Sequence, residues 1–181
     1  MKLITLTTLL LLPIMASADL IELDAARGGN TIGNPVTLSG FAITDIISIK
    51  AVADIDDEFT AWNAWNTDGS VEGCDTAGLN CTKGWVNKWN YFLNGDSNTV
   101  YTVWDNGRYE SAALALAYAP SVGPLTGITS ISFFIGDSNY GDNTGGISLH
   151  VSVTSVPEPG TLALFGIGLV GLGLTRRRRT P

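Results

Sequence analysis

The chain has 181 residues, 45% apolar and 15% charged, with a formal net charge of −7; this length holds one modest domain and excludes a large multidomain enzyme. Its longest hydrophobic runs include one in the first twenty residues and one in the last twenty-five, and between them residues 19–156 carry 16 acidic side chains against five basic ones, a net −11. Such a surface repels phosphate backbones and anionic headgroups, so nucleic acid is excluded as a partner, while cations and neutral polar ligands remain.

The chain opens with Met1-Lys2, continues through an apolar run from Leu3 to Ile14, and reaches the small-x-small step Ala16-Ser17-Ala18. A positive start, an apolar stretch and a small-residue cleavage site make a secretory signal, so residues 1–18 are expected to direct export through the secretion machinery and the mature chain to begin at Asp19. Residues 19–155 then form the extracytoplasmic domain. Asp54, Asp56, Asp57 and Glu58 cluster in its first half; adjacent carboxylates in a turn read as a solvated face rather than a catalytic dyad.

Five tryptophans follow, at positions 62, 65, 85, 89 and 104. Most aromatic residues of a sandwich serve packing, yet aromatic faces also stack on sugar rings. Trp85 and Trp89, flanked by Gly84, Asn87, Lys88 and Asn90, are the surface candidates for ligand binding. Cys74 and Cys81 are the two cysteines. In an oxidising compartment such a pair is expected to form a disulfide stapling the Gly-rich loop 69–84, because zinc would need ligands this segment does not supply.

The residues at 100–104, 112–118, 128–135 and 147–153 alternate or are rich in β-branched and aromatic types, and read as strands separated by Gly, Asn and Asp. Asn94-Gly95 and Asn106-Gly107 are turn dipeptides. In the final strand Ile147, Leu149, Val151 and Val153 point one way, and Ser148, His150, Ser152 and Thr154 the other, giving one buried and one wet face. The expectation is an all-β antiparallel β-sandwich of jelly-roll type. His150 stands alone, and the chain has no Gly-x-Ser-x-Gly, no metal-binding pair of histidines and no phosphate loop. Catalysis is not expected.

Between two expected strands lies Gly136-Asp137-Ser138-Asn139-Tyr140-Gly141-Asp142-Asn143-Thr144-Gly145-Gly146. It gathers the carboxylate and amide oxygens that calcium prefers, without EF-hand spacing. The Asp-Asn-Thr-Gly-Gly step into a last alternating strand resembles the calcium loop of bacterial galactophilic lectins, with a shorter gap between the first Asp and the later pair. That resemblance implies calcium held by Asp137, Asp142 and Asn143, with Asp142 or Asn143 also meeting sugar hydroxyls.

The chain closes with Val156-Pro157-Glu158-Pro159-Gly160, an uncharged Gly-rich run over 161–175, and Arg176, Arg177, Arg178 and Arg179. The run would make a single transmembrane helix about 24 Å long at about 1.5 Å per residue, a length that snorkelling arginines extend towards a hydrocarbon core of about 30 Å. The arginines act as a membrane stop and place the domain outside. Residues 156–181 resemble the PEP-CTERM sorting tail, which combines a Val-Pro-Glu-Pro motif, a hydrophobic helix and an arginine cluster. The resemblance implies an exosortase that recognises Val156, Pro157, Glu158 and Pro159 and removes the tail. The product is then an exported protein of the cell surface or exopolysaccharide matrix, with an exopolysaccharide or other glycan as possible ligand, or else a purely structural matrix component. A polysaccharide hydrolase is the remaining alternative. The mature protein is expected to start at Asp19 and lack Arg176 to Arg179, which intact-mass analysis of surface-extracted protein checks; Glu158→Ala should leave the precursor in the inner membrane.

Overall fold

The computed structural model describes residues 16–26, 30–54, 59–65 and 67–156. Residues 1–15, the acidic trio Asp56, Asp57 and Glu58, and the tail from Pro157 onward, with its expected helix and arginines, lie outside the described residues. Among the described residues no helix is long and apolar enough to cross a membrane.

Among the described residues the fold is all-β with antiparallel pairing and one short α-helix. In chain order the elements are β1 (Ala16–Asp24), β2 (Val36–Ser39), β3 (Ile46–Val52), β4 (Trp62–Asn63), β5 (Trp85–Val86), β6 (Trp89–Leu93), β7 (Tyr101–Val103), α1 (Ala112–Ala117), β8 (Val122–Leu125), β9 (Ser130–Phe134) and β10 (Thr144–Thr154). A six-stranded sheet has β10 at its centre, with β1 on one edge and β3 followed by β8 on the other; β4 and β5 continue that second edge at the start of β10. A four-stranded sheet runs β2-β9-β6-β7.

The alternation of β10 explains its central place. Leu149 faces Ile21 of β1 and Ala51 of β3 across the ladder, Val151 faces Ile49, and Val153 faces Ile47. These inward residues are buried, and they share one hydrophobic cluster with Trp89 and Tyr91 of β6, Val103 of β7, and Ile131 and Phe133 of β9. Two sheets therefore close on one core, as amphipathic antiparallel sheets must if each is to hide its apolar face. On the outer side Ser148 departs from the expected wet face: it is fully buried, and its N–H donates to the Phe59 carbonyl.

The segment 112–118 corrects its sequence reading. It is helix over Ala112–Ala117, not strand. The alternation there is of Ala with Leu, both strong helix formers without β-branching, and Ser111 supplies an N-cap by accepting a hydrogen bond from the Leu114 N–H. Ala115 packs with Ala61 and Tyr109 in a second, smaller cluster. Burial, with a hydrogen bond donated to the Asp105 carboxylate, raises the Tyr109 phenol above the ordinary tyrosine range.

Cys74 and Cys81 are bonded to each other. The loop they close is organised by Asp75, whose carboxylate accepts from the backbone N–H of Leu79 and Ala77 at 2.9 Å and from Asn80 Nδ2 at 2.8 Å. Those bonds, that from Leu79 foremost, hold its pKa below the ordinary carboxylate value. Asn94-Gly95 begins the turn after β6 as expected, with φ of +54° and +77°. Truncating an inward residue of β10 removes its packing and leaves a cavity, so Leu149→Ala should cost about 2–5 kcal/mol. Leu20→Ala, on a residue 60% exposed beside the same strand, should stay within about 0.5 kcal/mol; urea denaturation midpoints measure both.

Candidate functional site

The loop between β9 and β10 is held in a defined shape by its own side chains. Tyr140 Oη donates to the Ile135 carbonyl at 2.9 Å and accepts from the Asp137 N–H at 3.4 Å. Asn139 caps a short 3-10 turn, Tyr140–Asp142, by accepting from the Gly141 N–H. Asp137 Oδ1 accepts from the Ser138 N–H at 2.7 Å.

Beyond that turn the chain meets the end of β1. Asn143 is 2% exposed, and its Nδ2 donates to the Ala25 carbonyl at 3.0 Å. One side-chain oxygen of each of Asp142 and Asn143, the Oδ1 atom, is buried with no hydrogen-bond partner among the described residues. The residues expected from sequence to bind calcium thus divide. Asp142 and Asn143 present adjacent buried acceptors, whereas Asp137 lines a groove over the four-stranded sheet. Among the described residues no group of three or more His, Cys, Asp or Glu side chains gathers.

The tryptophans chosen as ligand platforms are placed otherwise. Trp89 is 0% exposed in the main core, with its ring centroid 6.1 Å from that of Phe133, so it cannot stack on a ligand. The alternation of Trp89, Asn90, Tyr91 and Phe92 along β6 turns both odd residues inward. Trp85 is half-buried, paired with Tyr109 and roofed by Gly69, where an added Cβ would stand 2.9 Å from the indole. The half-buried tryptophans that carry cations are Trp104, under Lys88 Nζ at 5.2 Å, and Trp65, under the Arg108 guanidinium at 5.0 Å. The His150 ring meets a neighbour of its own strand, its Nδ1 lying 3.1 Å from Ser152 Oγ.

The groove near Asp137 went unremarked in the sequence. Its floor comes from side chains of β6, β7 and β9, among them Asn90, Thr102 and Phe134, and Lys88 stands at its side. The visible signal was the polar Asn90 inside an otherwise aromatic strand, but only the pairing of β6 with β7 brings Thr102 opposite it.

The ends of the domain are set by the β1–β10 ladder. Ala16, Ser17 and Ala18 pair with Thr154, Val153 and Ser152, so the expected signal cleavage step and the start of the sorting motif leave the same end of the domain on neighbouring strands. The 137–143 loop precedes the opposite end of β10, which is eleven residues long. At about 3.3 Å per residue the strand separates the loop from the tail by about 35 Å.

No curated protein and no solved structure matches the chain. Residues 155–179 match the family model of the PEP-CTERM protein-sorting motif. That segment takes in Val156-Pro157-Glu158-Pro159, the hydrophobic run and the four arginines. The chain thus carries the sorting motif of an exported surface protein that an exosortase processes.

Proposed function

We propose that the mature protein is a jelly-roll module that binds carbohydrate at the cell surface or in the exopolysaccharide matrix, with calcium bracing its binding loop and without catalysis. Strand order supports the jelly-roll reading. With the two-residue strands β4 and β5 set aside, the remaining eight fall in the order 1-8-3-6 in one sheet and 2-7-4-5 in the other, the order that two Greek keys produce when wrapped into a double sheet.

The observation that carries the calcium reading is the pair of buried, unpartnered oxygens on Asp142 and Asn143. A buried acceptor left unmade costs about 1–3 kcal/mol, and folded proteins pair nearly all of them. Carboxylate and amide oxygens on consecutive residues suit calcium, which takes six to eight oxygen ligands. Asp142 and Asn143 would hold the ion, while Asp137, the third ligand of the lectin-like pattern, stands on the groove side of the loop and would stay outside this set. The ion would supply positive charge to an acidic loop and open coordination positions for sugar hydroxyls. The rival reading, a structural matrix protein without ligand, draws on the burial of Trp89.

Calcium bound only by the folded loop stabilises by mass action, by about 2.7 kcal/mol at a hundredfold excess over Kd. The melting temperature of exported, tail-processed protein should therefore rise in calcium relative to chelator. Asp137→Asn with Asp142→Asn should abolish the rise while preserving a cooperative transition. Equal melting in calcium and in chelator would overturn the calcium reading.

A further inference from the structure

The groove on the outer face of the four-stranded sheet has the chemistry of a saccharide site, at residues different from the tryptophans that the sequence suggested. Its floor is rigid. Asn90 is 5% exposed, and its Oδ1 accepts from Thr102 Oγ1 at 2.7 Å, which fixes a carboxamide beside a hydroxyl on the surface of the sheet. Gly136 makes room for that carboxamide, since a Cβ there would stand 2.3 Å from Asn90 Nδ2. Phe134, 5% exposed and paired opposite Asn90 across the β6–β9 ladder, packs beneath these polar groups as part of the floor.

The sides add one charge of each sign. Lys88 projects an ammonium held over the Trp104 ring, and Asp137 and Ser138 face the groove from the β9–β10 loop. Ile32 and Val100, 49% and 41% exposed, form apolar rims. The groove is shallow and open, with about 590 Å³ of space above its floor, so it suits one face of an extended chain rather than an enclosed small molecule. Fixed donors and acceptors beside apolar patches match a pyranose ring, which offers hydroxyls at its edge and C–H groups on its faces. Lys88 and Asp137 cancel, while the domain around them has a net charge of −11, so a polyanion is repelled where a neutral chain is not.

We propose that this groove, centred on Asn90, Thr102 and Lys88, binds a neutral polysaccharide chain along the outer face of the four-stranded sheet. This rests on the reading that the domain binds carbohydrate, and it moves the contact from Trp85 and Trp89 to the sheet face. Pre-organisation is the physical basis: the Asn90–Thr102 pair is already ordered, so little side-chain freedom remains to be lost on binding.

Affinity electrophoresis of the exported, processed protein tests it, in gels containing the producer's own exopolysaccharide, a neutral glucan, a neutral galactan or dextran sulfate. Wild type should be retarded by at least one neutral polysaccharide and not by dextran sulfate. Lys88→Ala should weaken that retardation at least tenfold at unchanged melting temperature, and Thr102→Ala, which also strips Asn90 Oδ1 of its donor, should weaken it at least tenfold with a cooperative, lower-melting transition. Lys50→Ala, which removes the same charge on the other sheet, should behave as wild type. Retardation of wild type with both groove variants unaffected would overturn the groove and leave carbohydrate binding standing. Retardation by dextran sulfate alone, or by none of the four, would overturn the carbohydrate reading together with the groove.

Discussion

Hydrogen bonding along both edges of β10 is the constraint on which the rest of the structure depends. One edge pairs with β1 over nine residues and the other with β3 and β4. A strand committed on both sides has no free backbone edge, so its side chains must satisfy a core below and neighbours above. The consequence is visible in Ile147, Leu149, Val151 and Val153, all buried against the second sheet. β10 also leads directly into the residues that match the sorting motif.

The same strand gives the molecule a polarity useful to a displayed protein. Near one end the expected mature start, Asp19, pairs with Val151, three residues before β10 ends at Thr154. The other carries the 137–143 loop. The motif at 155–179 that an exosortase processes therefore follows the end of β10 far from that loop.

With 16 acids and five bases in residues 19–156, ion pairs cannot satisfy most carboxylates, and the structure uses backbone N–H groups instead. Asp24, Asp45, Asp68, Asp75, Asp96 and Asp105 each accept from a nearby N–H in a turn. Such bonds favour the ionised form, which is why Asp75 and Asp96 ionise more readily than an unperturbed carboxyl, Asp96 chiefly through the Thr99 hydroxyl. Glu72 instead has Lys83 at 2.7 Å. Against this pattern the buried Oδ1 of Asp142, which accepts no hydrogen bond among the described residues, is the exception.

Local chemistry alone was enough for the sorting tail, the antiparallel β class, the Asn94-Gly95 turn, the Cys74–Cys81 bond and the inward face of β10, because each depends on residues close in sequence or on a period that one strand displays by itself. It failed at 112–118, where Ala-Leu alternation mimicked a strand and a Ser111 cap decided for helix. It also failed at Trp89, since exposure belongs to the sheet that covers a side chain and not to the polar residues beside it in the chain. Asn90 and Thr102 are twelve residues apart, and Asn143 reaches Ala25 across 118; such neighbours arise only when ladders between distant strands close. Residues read in order were enough to recognise the sorting motif of an exported chain and the apolar faces of its strands, whereas tertiary pairing decided which polar groups meet, because a site is made by the register between strands and no single strand contains that register.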